Sequence, residues 1–476
     1  MTARQDEPEL FAILVLYVPK EEVSMYGDRE RLDIKPECPQ LFVDDHLIDT
    51  MSGITPVLHQ PEKVPPEQAA EVRATPAVPG GVVTPRELGH YSFPALPHTD
   101  ESGRAADPPA WTFSPEDIPG LYDPRTPTRR PIHVRFCWEA KGEGGYGLHR
   151  AVSYDGADWG PWQLVWPRVN DGPGECHSLF WDYRKGCLVD MVRMGSNYPH
   201  GRTMGRGESP DFGLHWTPPV RVLTEDADDP EDTQVYNVEA GIYAGIYLAV
   251  VHLYRTESGL CFPQLACSRD GYRFSRFREP FLPLGPEGGA EGGMIWCGFP
   301  VFDGERLRLT YSAVRETHNM QTRSPTVAGA AYLRKDGFVS LDAGDHLGTV
   351  VTRPFRCPAR DTFPLDGTLS LFVNAAVRKG GELRVSILDQ HGACIVARER
   401  LPLDAAHADV ITGDHLHALV SWKGVSDVAA LNVYARPIRI RFDMTDASLY
   451  SFGLYEYHGT EDKPVLRVQD TTIQEE

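Results

Sequence analysis

The chain of 476 residues carries 47 Lys and Arg against 67 Asp and Glu, a net charge of −20, with 41% hydrophobic and 10% aromatic residues. This hydrophobic content is enough for more than one packed core. The acidic balance argues against nucleic acid or an anionic membrane as the principal partner, because both require clustered Lys and Arg.

In chain order, the first apolar run is LFAILVLYV at residues 10–18. It is too short to span a membrane, and PKEE follows it with no small-residue cleavage site, so it reads as a strand or short helix in an N-terminal extension, residues 1–40. A cytoplasmic location is the expectation. LFVDDHLI, residues 41–48, reads as an inner strand. Residues 61–130 are rich in Pro, Ala, Glu and Gly, show little periodicity, and read as an irregular insertion.

Beyond it, helical periodicity gives way to short β-branched and aromatic runs between turn signals, an all-β pattern. One corner recurs: SYDGADW from Ser153, SPDFGLHW from Ser209, SRDGYRF from Ser268 and a weaker RKDGFVSL from Arg334. A spacing of roughly 60 residues marks arrayed supersecondary units. At such a corner an Asp carboxylate accepts hydrogen bonds from the turn's own backbone, so Asp155, Asp211 and Asp270 read as structural. The motif resembles the Asp box of sialidases and other β-propellers, which lies on the outer rim. Units of about four strands are laid out at 131–166, 175–224, 234–284 and 294–342. With an irregular first unit from residue 41, they predict a five-bladed β-propeller over residues 41–350. From 351 to 476 the strands LSLFVNAAV, GGELRVSIL, HALVSW, ARPIRIRFDM and ASLYSFGLY alternate without the corner and predict a C-terminal β-sandwich. Nine cysteines, among them Cys137, Cys187, Cys261, Cys267 and Cys297, include no CxxC pair and read as buried free thiols.

LFVDDHLI, the corners, GGMIWCGFPVFDGERLRLTYSA, LRVSILDQHG and PIRIRFDMTDASLYSFGLYE together resemble the glycosyl hydrolase family 32-like proteins of bacteria. These are related to the five-bladed propeller glycosidases that include invertases, levanases and arabinanases. The resemblance covers most of residues 41–460. It implies a glycosidase acting on a small oligosaccharide or glycosylated metabolite. The invertase motifs Asn-Asp-Pro-Asn-Gly and Arg-Asp-Pro are not reproduced, and the Glu-Cys of GECHSL stands in a different chain order. A propeller that binds a polar or sugar ligand without hydrolysis, or runs a lyase or isomerase reaction in the same funnel, is the alternative.

Glycoside hydrolysis needs two carboxyl groups flanking the scissile bond. The resemblance implies a nucleophile at Asp45 or Asp44, on the first strand of the first unit. Glu239 in VYNVEAGIY, set among tyrosines, is the first choice of general acid, since burial raises a carboxyl pKa. Glu175 is the alternative, with His177 expected on the same strand face. Glu291 in GGAEGGM is a rival for the role of acid. Arg193 and Arg206 on neighbouring strands are expected to clamp a carboxylate, phosphate or hydroxyl pair. His59, Asp232, Tyr236, Gln264, Trp296 and His318 are candidate sugar contacts. Neither a metal nor a cofactor is signalled: HExxH and paired-Cys spacings do not occur.

Overall fold

The computed structural model describes residues 32–34, 38–74, 110–140, 145–169, 172–194, 201–320, 324–356, 368–397, 400–427 and 437–457. The apolar run 10–18, most of the extension before residue 40, residues 75–109 of the insertion and the tail beyond 457 lie outside the described residues.

Four groups of mainly antiparallel strands follow one another along the chain, each called a sheet below, the third and fourth being joined into one nine-stranded sheet by a parallel bridge between Cys261 and Met294. The first is Ala110–Phe113, His133–Ala140, Tyr146–Ser153 and Gln163–Pro167. The second is Pro173–Asp182, Cys187–Met194, Thr203–Ser209 and Val220–Leu223. The third is Thr233–Tyr243, Ile246–Arg255, Cys261–Ser268 and Ser275–Pro280. The fourth runs from Met294–Cys297 and Val301–Asp303 through Arg306–Val314 and Val327–Arg334 to Glu62–Lys63, so the expected insertion supplies its outer edge. The helix Pro66–Ala74 that follows is held there by Arg73 Nη1, which donates to the carbonyls of Tyr311 (2.9 Å) and Gly329 (3.2 Å).

Neighbouring sheets stack face to face. Phe180, Val189, Met191, Val238, Ala249 and Ala266 form one core between the second and third. Leu248, Val250, Leu265, Ile295, Leu307 and Leu309 form the next. Middle strands are therefore covered on both faces, which is why Ile246–Arg255 reads as a continuous apolar run instead of alternating. The first strands of the second and third sheets touch, with Ala240 N–H donating to Ser178 Oγ at 2.9 Å.

Each corner joins the third strand of a sheet to its fourth. Asp155 Oδ1 accepts from Ser153 Oγ (2.9 Å) and from the N–H groups of Ala157 (2.9 Å) and Asp158 (2.8 Å). Asp211 and Asp270 repeat this with Ser209 and Ser268. Those donors hold the Asp155 carboxyl down at about 2.

Two strand assignments are corrected. LFVDDHLI is not an inner strand: Gln40–Leu41 pairs with Pro437–Tyr457, and residues 42–47 turn, Asp44 Oδ1 accepting from His46 N–H at 3.2 Å. Consecutive Asp residues favour such a side-chain-capped turn over a strand. Val339–Ala343 does not close the fourth unit but pairs with Ile54–Leu58 and with Pro437–Tyr457. Val339–Ala343 and Gly348–Thr352 thus both belong to the ten-stranded sheet, which Ile48–Ser52 joins through Gly348–Thr352.

That sheet is built on two long strands, Thr368–Asp389 and Pro437–Tyr457. The rings of Phe442 and Phe452 stand 5.6 Å apart on one strand, although ten extended residues span about 33 Å. The ribbon therefore doubles over. The bend lies where pairing shifts between Val377 and Glu382, with Gly380 and Asp446 at positive φ, 93° and 44°. Trp422, Leu383, Val385, Ile440 and Leu449 fill the core that the doubled sheet encloses.

Candidate functional site

The first strands of the second and third sheets each carry a bulge. In Pro173–Asp182 the register breaks between Pro173 and His177, and Cys176 there takes φ 66°. In Thr233–Tyr243 it breaks between Val235 and Asn237, leaving Tyr236 as the extra residue. Bulges re-aim side chains. These two gather an aromatic and charged cluster at one end of neighbouring strands.

Glu239 lies below it. Its carboxyl is hydrogen-bonded by the side chains of Asn237 and Ser178, yet burial dominates and pushes its pKa up to about 8. The residue keeps partial solvent exposure. Glu239 is thus a partly exposed acid that is still protonated at neutral pH.

Above it, the Tyr236 ring stacks on Trp296 at 5.3 Å and 20°, and meets His318 at 5.1 Å. Tyr236 Oη and His318 Nε2 are 3.1 Å apart. Tyr254 packs against both, with Oη donating to Asn319 Oδ1. His252 fixes the Trp296 strand: its Nε2 accepts the Cys297 N–H at 2.9 Å, and burial pushes its pKa down to about 4, so it is neutral. Arg193 and Arg202 each place Cζ 5.1 Å from the Tyr236 ring centre. Arg193 donates to Glu175 at 2.6 Å, and Arg202 to Gln234 Oε1 at 2.7 Å. The buried Cys176 thiol feels the charges of Arg193, Glu175, Glu239 and Arg202 together.

Glu175, Glu239, Arg193, Tyr236, Trp296 and His318 are thus brought together. The remaining candidates are not. Asp44 receives two bonds from Arg269 (2.9 and 2.6 Å), beside the Ser268 corner, and Asp45 is exposed in the turn. Val43, next to them, accepts from Cys267 on the third strand of the third sheet, two strands or about 10 Å sideways from the Glu239 strand. Register also puts that corner level with the Tyr243 end, opposite Tyr236. The Asp pair thus stands at the rim, away from Glu239.

His177 does not share a face with Glu175, because the intervening bulge breaks the alternation. Its ring is buried, Nδ1 on Asp190 Oδ2 at 2.6 Å and packed 4.3 Å from Trp138. Arg206 cannot clamp a ligand with Arg193: it is buried, bound to Asp182 (2.7 Å) and Glu208 (2.8 Å) behind the Gly271 corner. Glu291 is held by Lys63 (2.7 Å) and Tyr311 (2.9 Å), joining the outer edge of the fourth sheet to the loop before Met294. Gln264 bonds Arg276 and the Arg278 carbonyl near the outer strand. His59 bonds Ser340 in the ten-stranded sheet, and Asp232 pairs with Arg255. Arg202, Tyr254, Ser178, Asn237, His252 and Cys176 were not singled out by the sequence.

Among the described residues no group of three or more His, Cys, Asp or Glu could hold a metal ion, and no helix is long and apolar enough to cross a membrane. A cleft of about 560 Å³ between Tyr332–Arg334 and 414–417 lies elsewhere, with Arg334 paired to Asp414.

No family model and no curated protein matches the chain. Solved structures do. One is an N-acetylgalactosamine deacetylase from F. plautii in complex with blood group B trisaccharide, 16% identical over 65% of this chain and 96% of that one, with a TM-score of 0.33. A sucrose-6-phosphate hydrolase from Lactobacillus gasseri is 12% identical over 70% of this chain and 84% of that one, TM-score 0.32. A Bombyx mori GH32 beta-fructofuranosidase is 12% identical over 82% of this chain and 96% of that one, TM-score 0.31. The functional reading rests on the residues of this chain.

Proposed function

We propose that the chain is a glycoside hydrolase-like enzyme, with Glu239 as the general acid and Glu175 as the second carboxyl group. The four strand groups are then four blades of the propeller expected at five, the described strands of the expected irregular first blade lying instead in other sheets, and the doubled sheet is the β-sandwich. The observation that carries the reading is Glu239 itself: a carboxyl held protonated to about pH 8, on the same strand as Tyr236, whose ring stacks on Trp296 and lies beside the Arg193–Glu175 pair. A general acid must hold its proton at working pH until the leaving oxygen needs it. Trp296, backed by Tyr236, is the aromatic wall beside which a sugar ring would lie, and Arg193 positions Glu175.

The test is reducing-sugar release from a panel of furanosides and pyranosides by the wild type, Glu239→Gln and Glu175→Gln. Either change is expected to lower kcat by about 10²-fold or more on the cleaved member. Release that survives in Glu239→Gln would remove the assignment. Sugar-induced thermal stabilisation without any release would make the cluster a binding site or the seat of a non-hydrolytic reaction.

A further inference from the structure

Resting on that reading of the cluster, we infer that its ligand is an anionic saccharide, bearing a carboxylate, phosphate or sulfate that Arg202 recognises together with Arg193. Both guanidinium groups stand over Tyr236, 5.1 Å from its ring centre, and Arg202 is also 5.5 Å from the ring of Tyr254. Their partners differ. Arg193 is matched by Glu175 at 2.6 Å, whereas Arg202 donates to a neutral amide, Gln234 Oε1, and no carboxylate among the described residues lies within ion-pair distance of it. Among the described residues Arg202 is therefore a cation not matched by a carboxylate, beside the matched Arg193–Glu175 pair, in a chain whose net charge is −20. Arg202 is partly exposed and its fork is held planar against aromatic rings, the arrangement that suits bidentate recognition of an oxyanion. Glu239, the acid below, is neutral at the same pH and adds no opposing charge.

The experiment is calorimetric titration of the full chain with D-glucuronate, D-galacturonate and D-glucose 6-phosphate, beside D-glucose, D-galactose and inorganic phosphate. Acidic sugars are expected to bind about tenfold or more tightly than their neutral counterparts, and less tightly as salt rises. Arg202→Gln should abolish the difference, and Arg202→Lys should retain part of it. Glucuronate or galacturonate leading the series identifies a uronate; glucose 6-phosphate leading it identifies a phosphorylated sugar. Equal binding of neutral and acidic members, no binding of either, a preference untouched in Arg202→Gln, or inorganic phosphate binding as tightly as glucose 6-phosphate would each overturn the inference. The outcome separates from that of hydrolysis. An acid preference kept in Glu239→Gln with no glycoside cleaved leaves this inference and removes the hydrolytic one, and cleavage of neutral glycosides with no preference does the reverse.

Discussion

Glu239 and His252 are displaced in opposite directions by the same cause, burial, and the displacement is measurable. Glu239 holds its proton to about pH 8 in the folded chain, against an ordinary value of 4.5. Between those values the folded state binds more protons than the unfolded one, so this residue's contribution to stability is complete below pH 4.5 and is lost as pH rises toward 8. His252 titrates near 4 when folded and 6.5 otherwise, so it weakens the fold as pH falls through that interval. The two effects oppose each other below pH 6.5, and from 6.5 to 8 Glu239 acts without that opposition. Wild type is therefore expected to lose unfolding free energy over pH 6.5–8 relative to Glu239→Gln, on the order of one or two kcal/mol in chemical denaturation. Parallel pH profiles for the two proteins would show that the carboxyl is not held protonated. The kcat/KM of a cleaved glycoside should likewise fall above about pH 8, as the acid form is lost.

The corners show how a short element closes. Gly213 has φ +83°, and a Cβ there would lie 2.2 Å from the Phe136 ring of the neighbouring sheet. Gly245 has φ +73° with nothing within 4 Å of an added Cβ. Gly245→Ala should cost about 1 kcal/mol from backbone conformation alone, and Gly213→Ala about 2–4 kcal/mol, because the ring must also move. Denaturant midpoints of the two variants decide it; equal losses would mean that the corner does not pack as described. The corners were legible in the sequence because their chemistry is local: Ser, Asp and Gly bond within five residues. Glu239 and Trp296 were legible as an acid and an indole within apolar strands. What escaped depends on bulges and on long-range contacts. The shift at Cys176 sends His177 into the core and Glu175 outward, and the Pro-Gly before Glu175 was the one local hint of it. Nor does a polar residue in a strand announce its face: Arg206 and Gln264 turned toward structural partners, and Arg202 turned toward Tyr236.

At the scale of the molecule, the fourth corner has become a joint. Asp336 keeps its place in the RKDG run but adopts φ 59° and is 2% exposed. Its Oδ1 accepts from Tyr243 Oη at 2.7 Å, at the end of the strand that carries Glu239, and its Oδ2 from Ser451 at 2.8 Å in the ten-stranded sheet. Tyr243 Oη in return accepts the Asp336 N–H at 3.2 Å. One carboxylate thus ties the blade-like sheets to the doubled sheet, and hydrogen bonds to a charged acceptor are the stronger kind. Removing it strands two buried hydroxyl donors, so Asp336→Ala is expected to cost about 3–5 kcal/mol in chemical denaturation, against about 1–2 kcal/mol for Ser451→Ala. If the tie acts as a unit, the double variant Asp336→Ala/Ser451→Ala loses less than the sum of the two. Strict additivity would mean that Asp336 and Ser451 contribute independently and that the carboxylate is not a joint tie.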